Sequence, residues 1–443
     1  MPYMTLAWGL PFVGLLLTLA VAPLAVPKLW GRHYGKIVGL WACVFLVPDF
    51  ANSGPGTGFA RLLDMGLNTY LPFVLLLGAL FIITGGLRIR GAPHGTPAVN
   101  LALLALSTLA ATLIGTPGAS MLMLRPILRA NRGRTHTAHI YVFFIFLVCN
   151  IGGALTPLGN PPLFLGYLRG VPFFWPLTHI FAPTLFLAGA LLALFLAIDS
   201  VIYRRSRDTA KVQVLPEIEK LSIDGAVNLL LLAGAAATMM LRSFWQVPGA
   251  LHVFGIAWPF DDIVEDFLFV LLAALSLGLT RRATRQENEF VWTPIVEVSI
   301  IFAAIFVTLI PIDAIMAAGQ AGPGAPIFAR MFQAGVPDNA LFYLLPGALS
   351  AVLDNAPAYL VFFGLAGDNA DLLTGKLALT LAAISAGASY FGAMTYIGNA
   401  PNMLVKSVAE SHGVKMPSFF GYMGWSFVCL LPLLLFAGWV FFR

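Results

Sequence analysis

Long stretches of apolar residues alternate with short polar connections along most of the chain. Runs such as 10–26 and 67–86 contain no charged residue, and each approaches the roughly 20 residues that a helix needs to cross a bilayer. The pattern predicts membrane-spanning helices at 6–26, 37–50, 67–86, 138–155, 173–202, 224–242, 262–280, 291–310, 376–394 and 418–442.

The chain has too few charged side chains to cover a water-facing surface. Charged residues make up 10% of its 443 residues and hydrophobic ones 59%, and the mean hydropathy is +0.87, whereas a soluble domain is about a quarter charged. This composition excludes a soluble enzyme, and the continuous apolar runs argue against a transmembrane β-barrel. The small basic excess does not indicate a nucleic-acid partner. We predict an all-α polytopic membrane protein in the lipid bilayer, without enzymatic activity or a cofactor.

The distribution of basic residues predicts the orientation in the membrane. Nineteen of the 25 lysines and arginines can be placed on one side, which is the bias expected of cytoplasmic connections. We therefore expect a bacterial-type inner-membrane protein with the polar linker 204–220 in the cytoplasm and both termini outside.

This orientation forces the segment 96–128 to enter the membrane and return on the same side. Two arginines precede the segment and four surround its end, while its second arm is too short to span the hydrocarbon core. We predict a re-entrant hairpin with its tip at 115–118, which includes Thr116, and with Ser120 one turn further along.

The two halves of the chain share a motif at a constant offset of 239 residues. GALTPLGNPP at 153–162 matches GAMTYIGNAP at 392–401, and the same offset carries the first hairpin tip onto LDNAPA at 353–358. Because acidic residues flank the second hairpin where basic ones flank the first, we predict two repeats of inverted topology. The predicted parts are a first repeat at 1–203 (hairpin 96–128, broken helix 138–168), the linker 204–220, and a second repeat at 221–443 (hairpin 338–366, broken helix 376–408).

A broken helix leaves backbone N–H groups free at one half-helix start and carbonyl groups free at the other half-helix end. In lipid such ends persist only around a polar cavity, where positive helix starts suit an anion and oxygen atoms suit Na⁺. We expect alternating access to one central site. The predicted ion- or substrate-binding residues are Asp354, Asn355, Thr156, Asn160, Thr395, Asn399, Thr116 and Ser120, all but the last two as candidate Na⁺ ligands, with Gly159, Pro161, Gly398 and Pro401 shaping the helix breaks.

These motifs resemble the ion transporter superfamily of secondary carriers. The resemblance rests on NIGGALTPLGNPP (150–162), LDNAPA (353–358) and GAMTYIGNAPN (392–402), which lie in both halves. The superfamily includes D-type bacterial sodium/proton antiporters, arsenite efflux permeases and citrate transporters. The resemblance implies inverted repeats with hairpins, ions bound at hairpin tips and helix breaks, and often a homodimer.

Asp354 is the main candidate for a coupling residue. Residues 354–357 are similar to the Asp-Asn-x-Pro of D-type antiporters, and a carboxylate near the bilayer centre needs a functional reason. Na⁺ and H⁺ would compete for this one carboxylate. The alternative is that Asp354 only caps the return helix, and that the asparagines and threonines of the motifs only bond to local backbone. Where the antiporter motif of the first half ends in Asp, this chain has Asn160.

Three transport functions fit these residues. Na⁺/H⁺ antiport comes first because of Asp354, and Na⁺- or H⁺-coupled transport of citrate or a dicarboxylate is the alternative, favoured by the helix starts and by Asn160. Arsenite efflux is a third choice. A primary pump is disfavoured because a Walker A sequence is missing.

Other acidic residues are expected to be peripheral. Asp49, Asp262, Glu265 and Asp266 lie near predicted outer ends of spans, where solvation is the simplest expectation. Asp313 lies closer to a span and is a candidate for a proton path.

Overall fold

A computed structural model describes residues 5–91, 93–206, 222–245, 247–333 and 335–443. Within these ranges the regular structure is helical apart from three two-stranded sheets. Eight of the described helical segments are long and apolar enough to cross a membrane. The predicted all-α polytopic architecture is confirmed, and the chain is a multi-pass membrane protein.

The first half contains ten α-helices within the residues that the structure describes. A π-helical turn at Gly66–Tyr70 joins the third helix to the fourth, and a 3₁₀ turn at Ile151–Leu155 follows the seventh. The helices are α1 (Leu10–Ala25), α2 (Pro27–Ser53), α3 (Pro55–Met65), α4 (Leu71–Gly85), α5 (Pro97–Ile114), α6 (Thr116–Ala130), α7 (Ala138–Leu147), α8 (Pro161–Leu168), α9 (Trp175–His179) and α10 (Phe181–Ser206).

The second half contains twelve helices within the described residues. A 3₁₀ turn at Phe391–Met394 again follows the helix before the break, and a π-helical turn at Ser426–Leu430 joins the last two helices. The helices are α11 (Val227–Phe244), α12 (Phe260–Leu279), α13 (Arg282–Glu287), α14 (Thr293–Ala317), α15 (Ala325–Met331), α16 (Asn339–Val352), α17 (Asn355–Leu365), α18 (Ala370–Thr374), α19 (Ala378–Tyr390), α20 (Ala400–Ser411), α21 (Phe419–Trp425) and α22 (Leu431–Phe441).

The predicted boundaries were wrong near the N-terminus. The span expected at 37–50 is part of α2, and the span expected at 67–86 belongs to a helical run that begins at Pro55. Lys28, Arg32 and Lys36 were expected in a connection but lie in the first turns of α2, where all three are exposed. Lysine and arginine are good helix formers, and their long side chains can reach water from a helix end.

A pair of helices stands at each predicted hairpin. Helices α5 and α6 pack against each other and turn at Gly115, whose φ of 80° favours glycine. The far ends of the pair also meet, since the Gly95 N–H donates to the Ala130 carbonyl over 2.8 Å. Helices α16 and α17 form the second pair. That these hairpins re-enter the bilayer, and that the two halves are inverted, stay predictions.

The predicted linker falls mostly on 207–221, which lie outside the described residues, while 204–206 belong to α10. Strand β1 (Arg88–Arg90) pairs in antiparallel fashion with β2 (Ser222–Asp224). The second half therefore starts beside the basic end of the first hairpin. Two small hairpins complete the strands, β3 (Ala250–Val253) with β4 (Ile256–Pro259), and β5 (Phe332–Gln333) with β6 (Val336–Pro337).

The long helices pack in two groups, each drawn from both halves of the chain. One group, here called the frame, contains α1–α4, α11, α12 and α14. The other, here called the core group, contains α5–α10, α16, α17 and α19–α22 and includes both hairpins and both breaks. The groups meet mainly where α4 contacts α6 and where α14 contacts α17. Any cavity between them is therefore bounded by hairpin residues on one side and by α4 and α14 on the other.

Candidate functional site

The two helix breaks have nearly the same backbone. In the first, Thr156 (φ −139°, ψ 156°) and Asn160 (φ −148°, ψ 137°) are extended on either side of a turn at 157–159, after which α8 begins. In the second, Thr395 (φ −135°, ψ 167°) and Asn399 (φ −156°, ψ 137°) are extended on either side of a bend at 396–398, after which α20 begins. Proline follows each asparagine within two residues, at Pro161 and at Pro401, where the missing N–H costs nothing.

A threonine hydroxyl fixes each break to the neighbouring hairpin. Thr156 Oγ1 donates to the Thr112 carbonyl and accepts the Gly159 N–H over 3.2 Å. Thr395 Oγ1 donates to the Ala351 carbonyl over 2.6 Å and accepts the Gly398 N–H over 3.2 Å. Both hydroxyls are thus engaged with backbone, as the structural alternative for these threonines predicts. Na⁺ coordination by them stays a prediction.

Two glycines permit a close crossing of the chain at each break. A Cβ at Gly159 would lie 2.3 Å from the Gly153 carbonyl oxygen, and one at Gly398 would lie 2.6 Å from that of Gly392. Because the obstructing atoms are backbone, only glycine fits at either position.

The hairpin tips lie against the breaks. The Thr116 N–H donates to the Gly159 carbonyl over 2.9 Å. Asn355 Nδ2 donates to Asn160 Oδ1 over 2.8 Å, which joins the second hairpin to the first break. Thr116, Asn160 and Asn355 are all buried.

Three polar atoms at this junction have no partner within the described part of the chain. They are Thr116 Oγ1, Asn160 Nδ2 and Asn355 Oδ1. Unpaired buried polar atoms are uncommon and unfavourable, by about 1–3 kcal/mol each. The junction therefore offers a ligand one amide donor, one amide oxygen and one hydroxyl, which can donate or accept.

Two further asparagines join the breaks across the halves, and the sequence analysis missed both. Asn150 Nδ2 donates to Asn402 Oδ1 over 2.9 Å, and Asn399 Nδ2 donates to the Cys149 carbonyl over 2.7 Å. Asn402 Nδ2 in turn donates to the Thr395 carbonyl over 2.9 Å. The signal was available, because Asn150 begins one of the stretches that resemble the superfamily and Asn402 ends another.

Asp354 caps the return helix of the second hairpin. Its carboxylate accepts the Ala356 N–H over 3.1 Å, and its side chain is half-buried. The capping role proposed as the alternative is therefore present, while binding of a cation remains untested. Ser120 donates to the Thr116 carbonyl over 2.6 Å and lies 3.3 Å from Cys149 Sγ.

Three helix starts face one central cavity of about 130 Å³ between the core group and the frame. The starts of α6, α8 and α20 supply the polar side, with Asn160 as its amide side chain. The opposite wall is apolar and comes from α4 and α14. Each helix start carries a partial positive charge. Proline occupies the first two positions of α8 and the second position of α6 and of α20, and the Thr116 N–H bonds to the Gly159 carbonyl, so few backbone N–H groups are left for a ligand. The cavity is lined by Gly115, Pro117, Gly118, Gly159, Asn160, Pro161, Ala400 and Pro401 opposite Leu76, Leu80, Phe81, Ile295 and Val298, among others.

A second cavity of about 170 Å³ continues from the first, with Met121, Pro294 and Leu404 lining both. Ser120 lies on its wall. At its far end Arg125 of α6 donates to Glu289 over 3.0 Å. These two neighbouring cavities, here called the passage, extend from the helix starts towards the basic end of the first hairpin.

An ionic cluster joins the two groups of helices elsewhere. Arg169, just after α8, donates to Asp313 of α14 over 2.8 Å and also to Asp368, just after α17. The side chains of Asp313 and Arg169 are mostly buried. Asp313 was a candidate for a proton path, and this contact makes it part of an ion pair.

Four aspartates and glutamates expected in solvent are buried. Asp49 lies 2.6 Å from Arg61, and Arg242 donates to Asp262 and to Glu265. The ends of α2 and α12 that carry these side chains are covered by neighbouring helices, which hydropathy along one segment does not reveal. Within the described residues, no group of three or more histidine, cysteine, aspartate or glutamate side chains is arranged to hold a metal ion.

Comparison with known proteins gives the family. Residues 2–442 match the model of a family described as "Putative citrate transport". Two uncharacterized transporters, Rv2684 of Mycobacterium tuberculosis and Mb2703 of Mycobacterium bovis, are each 23% identical to this chain over 362 residues, which is 77% of this chain and 79% of each relative. Because the family match covers almost the whole sequence, the chain belongs to this family. The resemblance to secondary carriers is confirmed, and the chain is a transporter.

Proposed function

We propose that this member of the citrate transport family carries citrate or a similar carboxylate across the membrane, coupled to a cation, by alternating access to the central cavity. The observation that carries the proposal is the convergence of three helix starts and the free amide of Asn160 on that cavity. The partial positive charge of helix starts and the amide N–H groups of Asn160 favour an anion. This arrangement favours a carboxylate as the transported species over Na⁺ alone.

The remaining polar atoms suit the coupling cation. Thr116 Oγ1 and Asn355 Oδ1 are unpaired oxygens at the tips, and the Asp354 carboxylate lies next to Asn355 along the chain. Oxygen ligands of this kind bind Na⁺ or exchange protons. A cation bound at the second tip would reduce the repulsion among the charges of a polyanionic substrate, so the two would bind more tightly together than singly.

Arg125 adds a cation to the passage. Among the described residues, no charged side chain lines the central cavity itself, and Arg125 lies on the wall of the second cavity. A guanidinium there would attract an anion arriving from the basic end and would release Glu289 when it binds the substrate.

Na⁺/H⁺ antiport is the second candidate function. It is favoured by Asp354, a carboxylate at a helix start between two apolar helices. A second carboxylate at position 160 would favour antiport further, but this chain has the amide of Asn160 there.

The accompanying topology is part of the proposal. The two halves would be inverted repeats with re-entrant hairpins and the linker on the cytoplasmic side of an inner membrane, with two chains forming a homodimer. Single cysteines replacing Arg90 and Arg132 should react with an impermeant maleimide from one side, and a cysteine replacing Asp371 from the other. Labelling of the first two from opposite sides would contradict the inverted arrangement.

The function is tested with purified protein in proteoliposomes that contain a pH-sensitive dye. We expect no response to Na⁺ or Li⁺ alone and a response when citrate is supplied together with Na⁺ or a pH gradient. Dissipation of the pH gradient by Na⁺ alone would identify an antiporter and contradict carboxylate transport.

A further inference from the structure

A third cavity lies apart from the central passage and shares no lining residue with it. Its volume is about 530 Å³, within the range of roughly 300–1,000 Å³ that is usual for small-molecule sites. Two connections form most of it, residues 131–138 between α6 and α7 and residues 412–415 between α20 and α21. Ile202 of α10 and Trp425 of α21 complete the wall.

The lining of this cavity is strongly basic. Arg132 and Lys415 are exposed, and neither forms an ion pair within the described parts of the chain. His136 and His412 add two imidazoles, while no aspartate or glutamate lies among the lining residues. The cavity therefore carries an excess of positive charge that attracts an anion.

Two other basic side chains of the cavity have a different role. Arg134 forms an ion pair with Asp199 of α10, and His139 Nε2 lies 2.8 Å from the same carboxylate. Both side chains are held by this one buried carboxylate, so they shape the floor of the cavity. The residues left to bind a ligand are those at its rim.

Apolar surface borders the same cavity. Val201, beside Ile202, is 50% exposed, and Val428, three residues after Trp425, is 76% exposed. In a multi-pass membrane protein such exposed apolar side chains face acyl chains. An amphiphile could therefore place an anionic group in the cavity and its tails along α10 and the segment that follows α21, whereas a soluble anion would use the basic rim alone.

We propose that this cavity binds the phosphate group of an anionic phospholipid. Basic pockets between transmembrane helices at one membrane face recognise such head groups. The bound lipid would connect the end of the first hairpin to the segment that follows the second break, and so would stabilise the core group. The proposal does not depend on which substrate the protein carries.

The test uses full-length protein purified in a neutral detergent and stripped of lipid. Phosphatidylglycerol or phosphatidylcholine is added, and the thermal unfolding midpoint and the lipid adducts in native mass spectra are recorded. We expect phosphatidylglycerol to raise the midpoint and to give adducts, because a ligand that binds the folded state stabilises it, and phosphatidylcholine to do neither.

The variant pair is R132Q/K415Q against R281Q/R282Q. Each removes two exposed charges, but Arg281 and Arg282 lie outside the cavity. The first should weaken phosphatidylglycerol binding by roughly 30-fold, given the usual contribution of a basic residue at a membrane surface, and the second should leave binding unchanged. Equal losses in both variants, or equal binding of both lipids, would overturn the proposal.

A further arm distinguishes the source of the phosphate. Inorganic phosphate and glycerol phosphate are added in place of lipid. If either reproduces the full shift of the midpoint, and R132Q/K415Q abolishes it, the cavity binds a soluble phosphate and the lipid proposal is wrong.

Discussion

In both halves of the molecule a threonine at the helix break bonds a carbonyl 44 residues earlier in the chain, yet the hairpin tips beside the breaks carry different chemistry. The first tip consists of Gly115 and Thr116, with a hydroxyl as its only side-chain polar group. The second consists of Asp354 and Asn355, with a carboxylate and an amide. The backbone of the break is therefore common to both halves, while the charge is confined to one.

The asparagines of the two breaks also differ in their surroundings. Asn160 faces the central cavity and keeps an unpaired amide nitrogen, whereas the amide nitrogen of Asn399 is bonded to the Cys149 carbonyl. We infer that the first break presents a ligand-binding amide and that the second holds the core group together. The predictions below test which features are shared and which are not.

The largest effect is expected when a side chain is added to the glycine of either break, where the chain crosses itself closely. Gly159→Ala and Gly398→Ala each drive a Cβ against a backbone carbonyl, so each should lower the free energy of unfolding by about 3 kcal/mol. Gly78→Ala, on α4, meets nothing within 4 Å and is the control. The measurement is the thermal midpoint with the yield of monodisperse protein. A severe effect at only one of the two glycines would show that the breaks are not equivalent.

The second largest effect is expected when the negative charge at the second hairpin tip is removed. Asp354→Asn keeps a side chain that caps a helix equally well but removes the carboxylate. We expect cation-coupled uptake to fall at least tenfold with little change in the thermal midpoint. Asp338→Asn is the matched control, because Asp338 caps α16 of the same hairpin by accepting the Leu341 N–H. If Asp354→Asn transports like the wild type, Asp354 is only a cap.

A smaller effect should distinguish the role of Asn160 in the first break from that of Asn399 in the second. Asn160→Ala should raise the KM for citrate about tenfold, because a hydrogen bond to a charged group contributes about 1.5–3 kcal/mol. Asn399→Ala should instead lower the thermal midpoint and leave the KM nearly unchanged. The measurement is initial uptake rate against citrate concentration, with unfolding followed in parallel. The reverse pattern would exchange the roles assigned to the two breaks.

The smallest effect is expected when the equivalent threonine hydroxyls of the two breaks are removed. Thr156→Val and Thr395→Val remove equivalent pairs of hydrogen bonds, so each should destabilise the protein by about 1–2 kcal/mol. Equal shifts of the thermal midpoint are expected. A clear difference between the two variants would mean that one hydroxyl has a ligand as well as backbone partners.

The breaks could be predicted from the sequence because their signals are local. Glycine, asparagine and proline at a fixed offset mark the turns, and Gly115 marks the hairpin tip by itself. The contacts between Arg169 and Asp313 and between Asn150 and Asn402 could not be predicted, since they join residues 144 and 252 positions apart. The burial of Glu265 likewise depends on which helices cover α12. Pairing across the fold is decided by packing, which hydropathy along one segment does not record.

The most direct test of the central cavity as a carboxylate site is citrate counterflow. Proteoliposomes preloaded with unlabelled citrate are diluted into labelled citrate at equal Na⁺ and pH on both sides. We predict transient accumulation of label in vesicles with the wild-type protein and much less with Asn160→Ala. Absence of accumulation with the wild type, in vesicles where Na⁺ alone still moves protons, would contradict the account.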